Sequence, residues 1–181
     1  MSWKRAFPIA SVFAVGAVTF ALRTGSAAPV PMAALDDPTI VAIFDAANTS
    51  DIETGELGAK KGSTQAVRDF GAMLARDHKT VRQQGRDLAK KLGVAPTPPK
   101  DDSGAKDHAA IVKRLNSLSG AEFDRAFLQN EVGYHEAVIA AVTKTLLPAI
   151  QNAELKDLVT KVAPAFVAHR DAAKNMLDKL H

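Results

Sequence analysis

The sequence predicts an all-α protein built from four long helices that pack as a bundle. Three observations predict this class. Apolar residues recur at spacings of three and four along four long stretches, which is the period of an amphipathic helix. Glycine, proline and capping residues mark the ends of these stretches. The chain has 46% hydrophobic and 24% charged residues, which is typical of a globular protein and not of a disordered one.

Residues 1–27 are predicted to form a secretory signal peptide. Lys4 and Arg5 precede an apolar run of 17 residues that ends at Leu22, and small residues follow it. Cleavage is expected after Ala27. The alternative, an uncleaved membrane anchor, is disfavoured because the run is short and contains polar residues. We therefore expect export to the periplasm or cell envelope, with no integral membrane span in the mature chain.

The composition excludes several classes of function. The formal net charge of +3 comes wholly from residues 1–27, which contain three basic residues and no acidic one, so the remainder sums to zero. A neutral mature chain gives no indication of nucleic-acid binding. The absence of cysteine excludes disulfides, thiolate metal sites, iron–sulfur clusters and thiol nucleophiles.

The first two long helices are predicted over residues 37–61 and 63–92, after a flexible lead-in at 28–36. Asp37 is expected to cap the first helix, with proline at the first helical position. Gly93 is expected to follow the second helix, where basic residues fill the last turn. The turn between these helices is short, which predicts an antiparallel pair.

The other two long helices are predicted over residues 119–146 and 152–181. Ser119 and Glu122 have the spacing of a capping box, in which each side chain bonds a backbone N–H at the start of the helix. Asn152 is expected to cap the last helix. The short turn between these helices also predicts an antiparallel pair.

The connection between the second and third long helices, residues 93–118, is long enough to cross the bundle from end to end. It is expected to carry a short extra helix at residues 104–117. A crossover of this kind permits ferritin-like topology, in which the second and third long helices run parallel. We thus predict one ferritin-like four-helix bundle domain over residues 37–181.

Each of the four apolar stripes is interrupted near its middle by an ionisable residue. These residues are Asp51, His78, Glu131, His135 and His169. At 1.5 Å per residue, those on the second and third helices share one level to within about 3 Å if the two helices run parallel. The residue on the fourth helix falls within a turn of that level, and the aspartate on the first helix lies about one turn away.

Imidazoles and carboxylates at one depth can bind a transition-metal ion such as Fe, Cu or Zn. We therefore predict that these five residues are metal ligands. Asn48, Asp77 and Tyr134 lie beside them in the pattern and are candidates to hold the ligands by hydrogen bonds. No catalytic residue is assigned.

Two alternatives stay open. The buried groups can satisfy one another by hydrogen bonds and only fix the register of the helices, as in an envelope structural or interaction module. Such a module would bind a second copy of the chain or another envelope protein. The other alternative is a redox enzyme that uses a metal or a non-covalent haem, which requires an open coordination position or a cavity.

Four segments carry a resemblance to a known family: Asp51-Ile52, Asp77-His78, residues 131–139 and residues 152–156. In them and over about residues 37–178 the chain resembles the exported bacterial family called domain of unknown function 4142, whose members often bear the label "predicted outer membrane protein". The resemblance implies a ferritin-like four-helix fold and export. It implies no established reaction.

The resemblance to ferritin-like proteins does not extend to a di-iron site. The di-iron members use a carboxylate from each of two helices and a Glu-x-x-His motif from each of the other two. Here Glu131 and His135 are spaced by four, and interior carboxylates are too few for that cage. One metal ion in a histidine-rich site is the expected variant.

Overall fold

A computed structural model describes residues 35–100 and 103–180. The elements are α1 (Asp37–Lys61), α2 (Gln65–Leu92), α3 (Ser103–Ser117), α4 (Gly120–Ala141), a π-helical turn (Val142–Leu146), α5 (Leu147–Ala149) and α6 (Ala153–Leu177). The long helices are α1, α2, α4 and α6. The predicted signal peptide and most of the predicted lead-in lie outside the described residues.

The four long helices pack as two hairpins. The most extensive contacts join α1 to α2 and α4 to α6. Contacts between α1 and α4 and between α2 and α6 then bring the hairpins together. The order around the bundle is therefore α1, α2, α6, α4. The predicted all-α class and the four-helix bundle are confirmed.

Two hydrophobic clusters fill the two ends of the bundle. The first, which includes Phe44 and Val142, takes side chains from the start of α1 and α6 and from the end of α2 and α4. The second, which includes Phe70 and Phe127, takes them from the start of α2 and α4 and from the end of α6. Since α2 and α4 begin at the same end, they run parallel. The connection that carries α3 therefore crosses the bundle, as ferritin-like topology requires.

The α1 and α2 backbones touch where two glycines face each other. A Cβ atom on Gly71 would lie 2.4 Å from the Ala59 nitrogen and 2.6 Å from the Gly55 oxygen. Only a residue without a side chain fits at this approach. The contact sets the spacing of α1 and α2 between the polar middle of the bundle and the turn that joins them.

The cap of α1 differs from the prediction. Asp36, and not Asp37, caps the helix, and its Oδ1 accepts a hydrogen bond from the Thr39 N–H at 2.9 Å. The Asp37 carboxylate instead accepts from the backbone N–H groups of Gln151 and Asn152, both at 2.9 Å. Two adjacent aspartates both suit an N-cap, and the second is drawn to the N–H groups that precede α6.

The start of α6 follows the prediction, whereas the start of α4 does not. Asn152 accepts hydrogen bonds from the N–H groups of Glu154 and Leu155 at 2.9 and 3.1 Å. Ser119 occupies the cap position of α4 in extended backbone but makes no side-chain cap bond. The predicted capping box is therefore wrong in its hydrogen bonding, although the helix begins where it was expected.

The predicted third long helix is not uniform. Its last part is the π-helical turn, in which the Leu147 N–H donates to the Val142 oxygen, five residues back. Pro148 explains the change, because in a regular α-helix its ring would clash with the carbonyl four residues earlier. The wider turn relieves that clash and lets the chain stay helical as far as Ala149.

Among the described residues, no helix combines the length and the hydropathy that a bilayer crossing requires.

Candidate metal centre

A layer of buried polar side chains separates the two hydrophobic clusters. It contains all five of the predicted ligands, each at most 5% exposed: Asp51, His78, Glu131, His135 and His169. They come from all four long helices, because the apolar stripe of each helix faces the bundle axis. The structure therefore brings together every residue that the sequence predicts as a metal ligand.

The three imidazoles form a nearly equilateral triangle. The ring centroids of His78 and His169 are 5.1 Å apart, those of His135 and His169 are 5.4 Å apart, and those of His78 and His135 are 5.6 Å apart. One ring nitrogen of each lies within 4.8 Å of the others. One metal ion can therefore reach all three rings after small side-chain movements.

The tautomer of His78 follows from its neighbour on α1. The Asn48 side-chain N–H donates to the Phe44 carbonyl at 2.8 Å, so its Oδ1 is the atom that faces His78. The His78 Nδ1 lies 2.9 Å from this oxygen and must donate to it. The Nε2 of His78 therefore carries a lone pair, which is the form that binds a metal.

The other two imidazoles are oriented in the same way. The His135 Nδ1 lies 2.9 Å from the Glu131 backbone oxygen and donates to it, because a carbonyl only accepts. The His169 Nε2 lies 3.3 Å from Asp77 Oδ2, and donates to this carboxylate. The free nitrogens are thus Nε2 of His135 and Nδ1 of His169.

Five buried side-chain atoms of the described residues have no hydrogen-bond partner. They are Asp51 Oδ1, His78 Nε2, Glu131 Oε2, His135 Nε2 and His169 Nδ1. One atom comes from each predicted ligand, and in each imidazole it is the nitrogen opposite the hydrogen-bonded one. Buried polar atoms are nearly always paired, since an unpaired one costs roughly 1–3 kcal/mol.

The two carboxyl groups lie on one side of the imidazole triangle. Asp51 Oδ2 is 3.5 Å from His78 Nε2, and Asp51, Glu131 and His135 form a second group whose ligand atoms lie within 4.8 Å of one another. Burial raises the pKa of Glu131 to about 7. Burial, and then the charge of Glu131, raise the pKa of Asp51 well above its usual value.

The histidines are held in the neutral form. Burial lowers the pKa of His78 to about 2, helped by the two neighbouring imidazoles, and lowers that of His135 to about 4. Burial also lowers the pKa of His169, although its hydrogen bond to Asp77 acts in the opposite direction. No proton therefore competes with a cation for these nitrogens at neutral pH.

Tyr134 was a candidate to hold a ligand by a hydrogen bond, but its hydroxyl bonds elsewhere. Its hydroxyl donates to the Ala47 carbonyl at 3.0 Å, and so joins α4 to α1. Its ring meets the edge of His135, with centroids 6.1 Å apart. The other two candidates do bond to predicted ligands: Asn48 bonds to His78, and Asp77 bonds to His169.

Sequence reasoning missed two contributors to the layer. The Phe166 ring stacks on His78, with centroids 5.8 Å apart and an interplanar angle of 6°. Phe166 precedes His169 by three residues on the same apolar stripe, and this spacing could have predicted that its ring lies beside the layer. The Glu131 backbone oxygen, which orients His135, could not be found from residue types, because every residue has a carbonyl.

Fold and site together define a class: a ferritin-like four-helix bundle that carries a buried histidine and carboxylate layer on all four long helices. The chain matches the family described as "Domain of unknown function (DUF4142)" over residues 22–176. It belongs to that family. The comparison with curated proteins gave no match.

A solved structure supports the same fold. It is described as "Crystal structure of DUF305 fragment from Deinococcus radiodurans" and superposes with a TM-score of 0.69 at 15% identity. The match covers 78% of this chain and 95% of the other. At this identity the similarity concerns the helical fold alone.

Proposed function

We propose that this protein binds one transition-metal ion in the polar layer. The ligands would be His78, His135 and His169, and the carboxylates of Asp51 and Glu131 would complete the coordination or neutralise the ion. One observation carries the proposal: each of these five residues presents a buried atom that has no hydrogen-bond partner. The ligand atoms form two groups that share His135: one holds the three imidazoles, and the other holds His135 with Asp51 and Glu131. A cation among the imidazoles would pair the three free nitrogens and attract the neighbouring carboxylates.

The chemistry of the donors supports a first-row transition metal. Neutral imidazole suits Zn, Cu, Fe and Ni, and a carboxylate adds a hard, charged oxygen. The nitrogen of each imidazole that is not free for a metal donates its N–H to a fixed acceptor. This is the arrangement that orients histidine ligands in metal sites. A cation would also offset the cost of ionising the two buried carboxyls.

The competing function is a structural layer that only fixes the helix register. The Asn48–His78 and Asp77–His169 hydrogen bonds favour it, since each joins two different helices. A self-sufficient network, however, would pair its own members. Asp51 and Glu131, whose pKa values are both raised, pair in part with each other. The free nitrogens of His135 and His169 have no such partner and are better accounted for by a ligand.

A haem held by two of the histidines is less well supported. The rings lie side by side in the core, and the cavity that borders His78 has a volume of about 20 Å³. A porphyrin needs many times this space. We therefore propose a binding protein rather than a haem enzyme.

We also propose that the protein acts outside the cytoplasm. The support is the predicted signal peptide at residues 1–27. Sequencing the N-terminus of the protein recovered from the periplasmic fraction tests this. We expect the mature chain to begin at Ala28, and an intact Met1 in the cytoplasmic fraction would contradict it.

The direct test is metal content. The untagged chain from residue 28, which contains the whole described bundle, is exposed separately to Fe²⁺, Cu²⁺, Zn²⁺, Mn²⁺, Ni²⁺ and Co²⁺, freed of loose ions and measured by elemental mass spectrometry. We expect about one tightly held equivalent of at least one metal. Absence of every metal at that stoichiometry would overturn the proposal and favour the structural layer.

Matched variants locate the ion. His78→Ala and His169→Ala are expected to lose it while the helical circular dichroism persists. His108→Ala is the control, because His108 bonds Glu53 at 2.8 Å on the surface of the bundle, away from the layer. Metal retained by the double variant of His78 and His169 would contradict the assignment.

A further inference from the structure

A small cavity adjoins one side of the polar layer. Its volume is about 20 Å³, and its lining includes Asp51 and His78 but none of the other three predicted ligands. The rest of the wall is mainly apolar and includes Ala47, Val142 and Phe166. The cavity therefore lies between the layer and the first hydrophobic cluster.

Two of the unpartnered atoms belong to residues that line this cavity. They are His78 Nε2 and Asp51 Oδ1, on side chains that are 1% and 3% exposed as residues. The gap between the two groups is narrow, with Nε2 and Asp51 Oδ2 3.5 Å apart. A metal site that includes His78 and Asp51 therefore shares two residues with the cavity, whereas His135 and His169 do not line it.

We infer that the ion keeps one coordination position open toward this cavity, and that this position takes one water-sized ligand, water or hydroxide. The inference rests on the proposed metal site. A cavity must offer roughly 10–15 Å³ to hold one water molecule, so this one holds a single water and little more. The unpaired Asp51 oxygen supplies the hydrogen-bond acceptor that a metal-bound water needs.

The apolar wall determines the ligand's class. Among the residues that line the cavity, only Asn48, Asp51 and His78 have polar side chains. A multi-atom organic substrate would find neither the space nor the polar partners. The open position therefore admits only a ligand about as small as water. Catalytic zinc sites likewise keep one coordination position for a water molecule or other non-protein ligand.

The test uses the untagged chain from residue 28 loaded with one equivalent of Cu²⁺. Pulsed electron paramagnetic resonance in ²H₂O is expected to show imidazole nitrogens and the strong deuterium coupling of a directly bound water. Ala47→Val adds two methyl groups to the cavity wall and should remove the deuterium coupling while the nitrogen couplings persist. Ala163→Val is the control, since Ala163 packs against the same cluster without lining the cavity.

A second variant changes the cavity in the opposite sense. Val142→Ala enlarges it, so azide should bind the Cu²⁺ at a concentration at least about tenfold lower than in the wild type, as the azide-to-copper absorption band reports. This variant also decides the question if Ala47→Val fails to fold. An unchanged azide affinity would overturn the inference.

The two proposals fail in different ways. If Cu²⁺ is not retained, the metal site itself is wrong for this ion, and the inference falls with it. If Cu²⁺ is retained by imidazole nitrogens but the wild type shows no bound water, only the open position is wrong. The same holds if Ala47→Val keeps the deuterium coupling.

Discussion

The Nδ1 of His78 lies 2.9 Å from the Oδ1 of Asn48, so an amide on α1 determines which nitrogen of a histidine on α2 faces the polar layer. A backbone carbonyl does the same for His135, and Asp77 does it for His169. Each imidazole therefore has one nitrogen bound to the protein and one left for a ligand. This division of roles supports the proposed metal site.

Replacement of Asn48 by Leu should weaken metal binding by about 10–100-fold without unfolding the bundle. The variant removes the acceptor that holds His78 in the required tautomer but keeps a side chain of similar size. Competition against a chelator of known affinity measures the change. Tyr134→Phe is the matched control, because its lost hydroxyl bonds the Ala47 carbonyl and no ligand. Equal affinities in the two variants would contradict the role of Asn48.

Metal binding should release more protons at pH 6 than at pH 8, by up to about one proton. The pKa of Glu131 is raised to about 7, so its carboxyl is largely protonated at the lower pH and ionised at the higher one. The pKa values of His78 and His135 are lowered to about 2 and about 4, so these rings release none at either pH. Calorimetry in two buffers of different ionisation enthalpy counts the protons. The same release at both pH values would show that Glu131 does not ionise when the metal binds.

In the metal-free protein, Glu131→Gln should gain stability relative to the wild type as the pH rises. Burial raises the pKa of Glu131 from 4.5 to about 7, so its favourable contribution is complete below pH 4.5 and is lost as the pH rises through 7. The loss reaches about 3 kcal/mol at most. Urea unfolding of chelator-treated protein at pH 5 and pH 8 measures it. Parallel pH profiles for the two proteins would refute the assignment.

Gly71→Ala should destabilise the fold by about 1–3 kcal/mol or more, because the new methyl group would meet the α1 backbone at 2.4 Å. Gly104→Ala is the control. Nothing lies within 4 Å of a Cβ atom at that position in α3, so alanine should be neutral or stabilise by a few tenths to about 1 kcal/mol. Thermal unfolding of both variants tests the pair, and a neutral Gly71→Ala would show that the helices can move apart.

The periodicity of the apolar stripes was sufficient to predict the bundle and the membership of the layer. The five interrupting residues share a depth because parallel α2 and α4 start at the same end, which counting residues can reveal. Asp51 was expected one turn away from the others, yet it lies 3.5 Å from His78. Counting residues along the helices ignores the direction of the side chains. Each side chain leans toward the N-terminus of its own helix, so Asp51 and His78 lean toward each other in the antiparallel pair.

Other features depend on choices that residue types leave open. Asp36 and Asp37 are equally good caps, and only the position of α6 decides which one caps α1. A proline such as Pro148 usually ends a helix, whereas here it widens the preceding turn. The tautomers depend on carbonyl and amide positions that only three-dimensional packing determines.

The first hydrophobic cluster contains buried side chains from all four long helices, and the second contains them from α2, α4 and α6, so each end of the bundle joins both hairpins without help from the middle. The layer between them contributes unpaired polar atoms, and replacing such a layer by apolar side chains of similar volume is often neutral or stabilising. Architecture and chemistry are thus separable in this molecule. Its ends can preserve the scaffold while the side chains of the middle layer are substituted, so the same bundle can carry different polar layers.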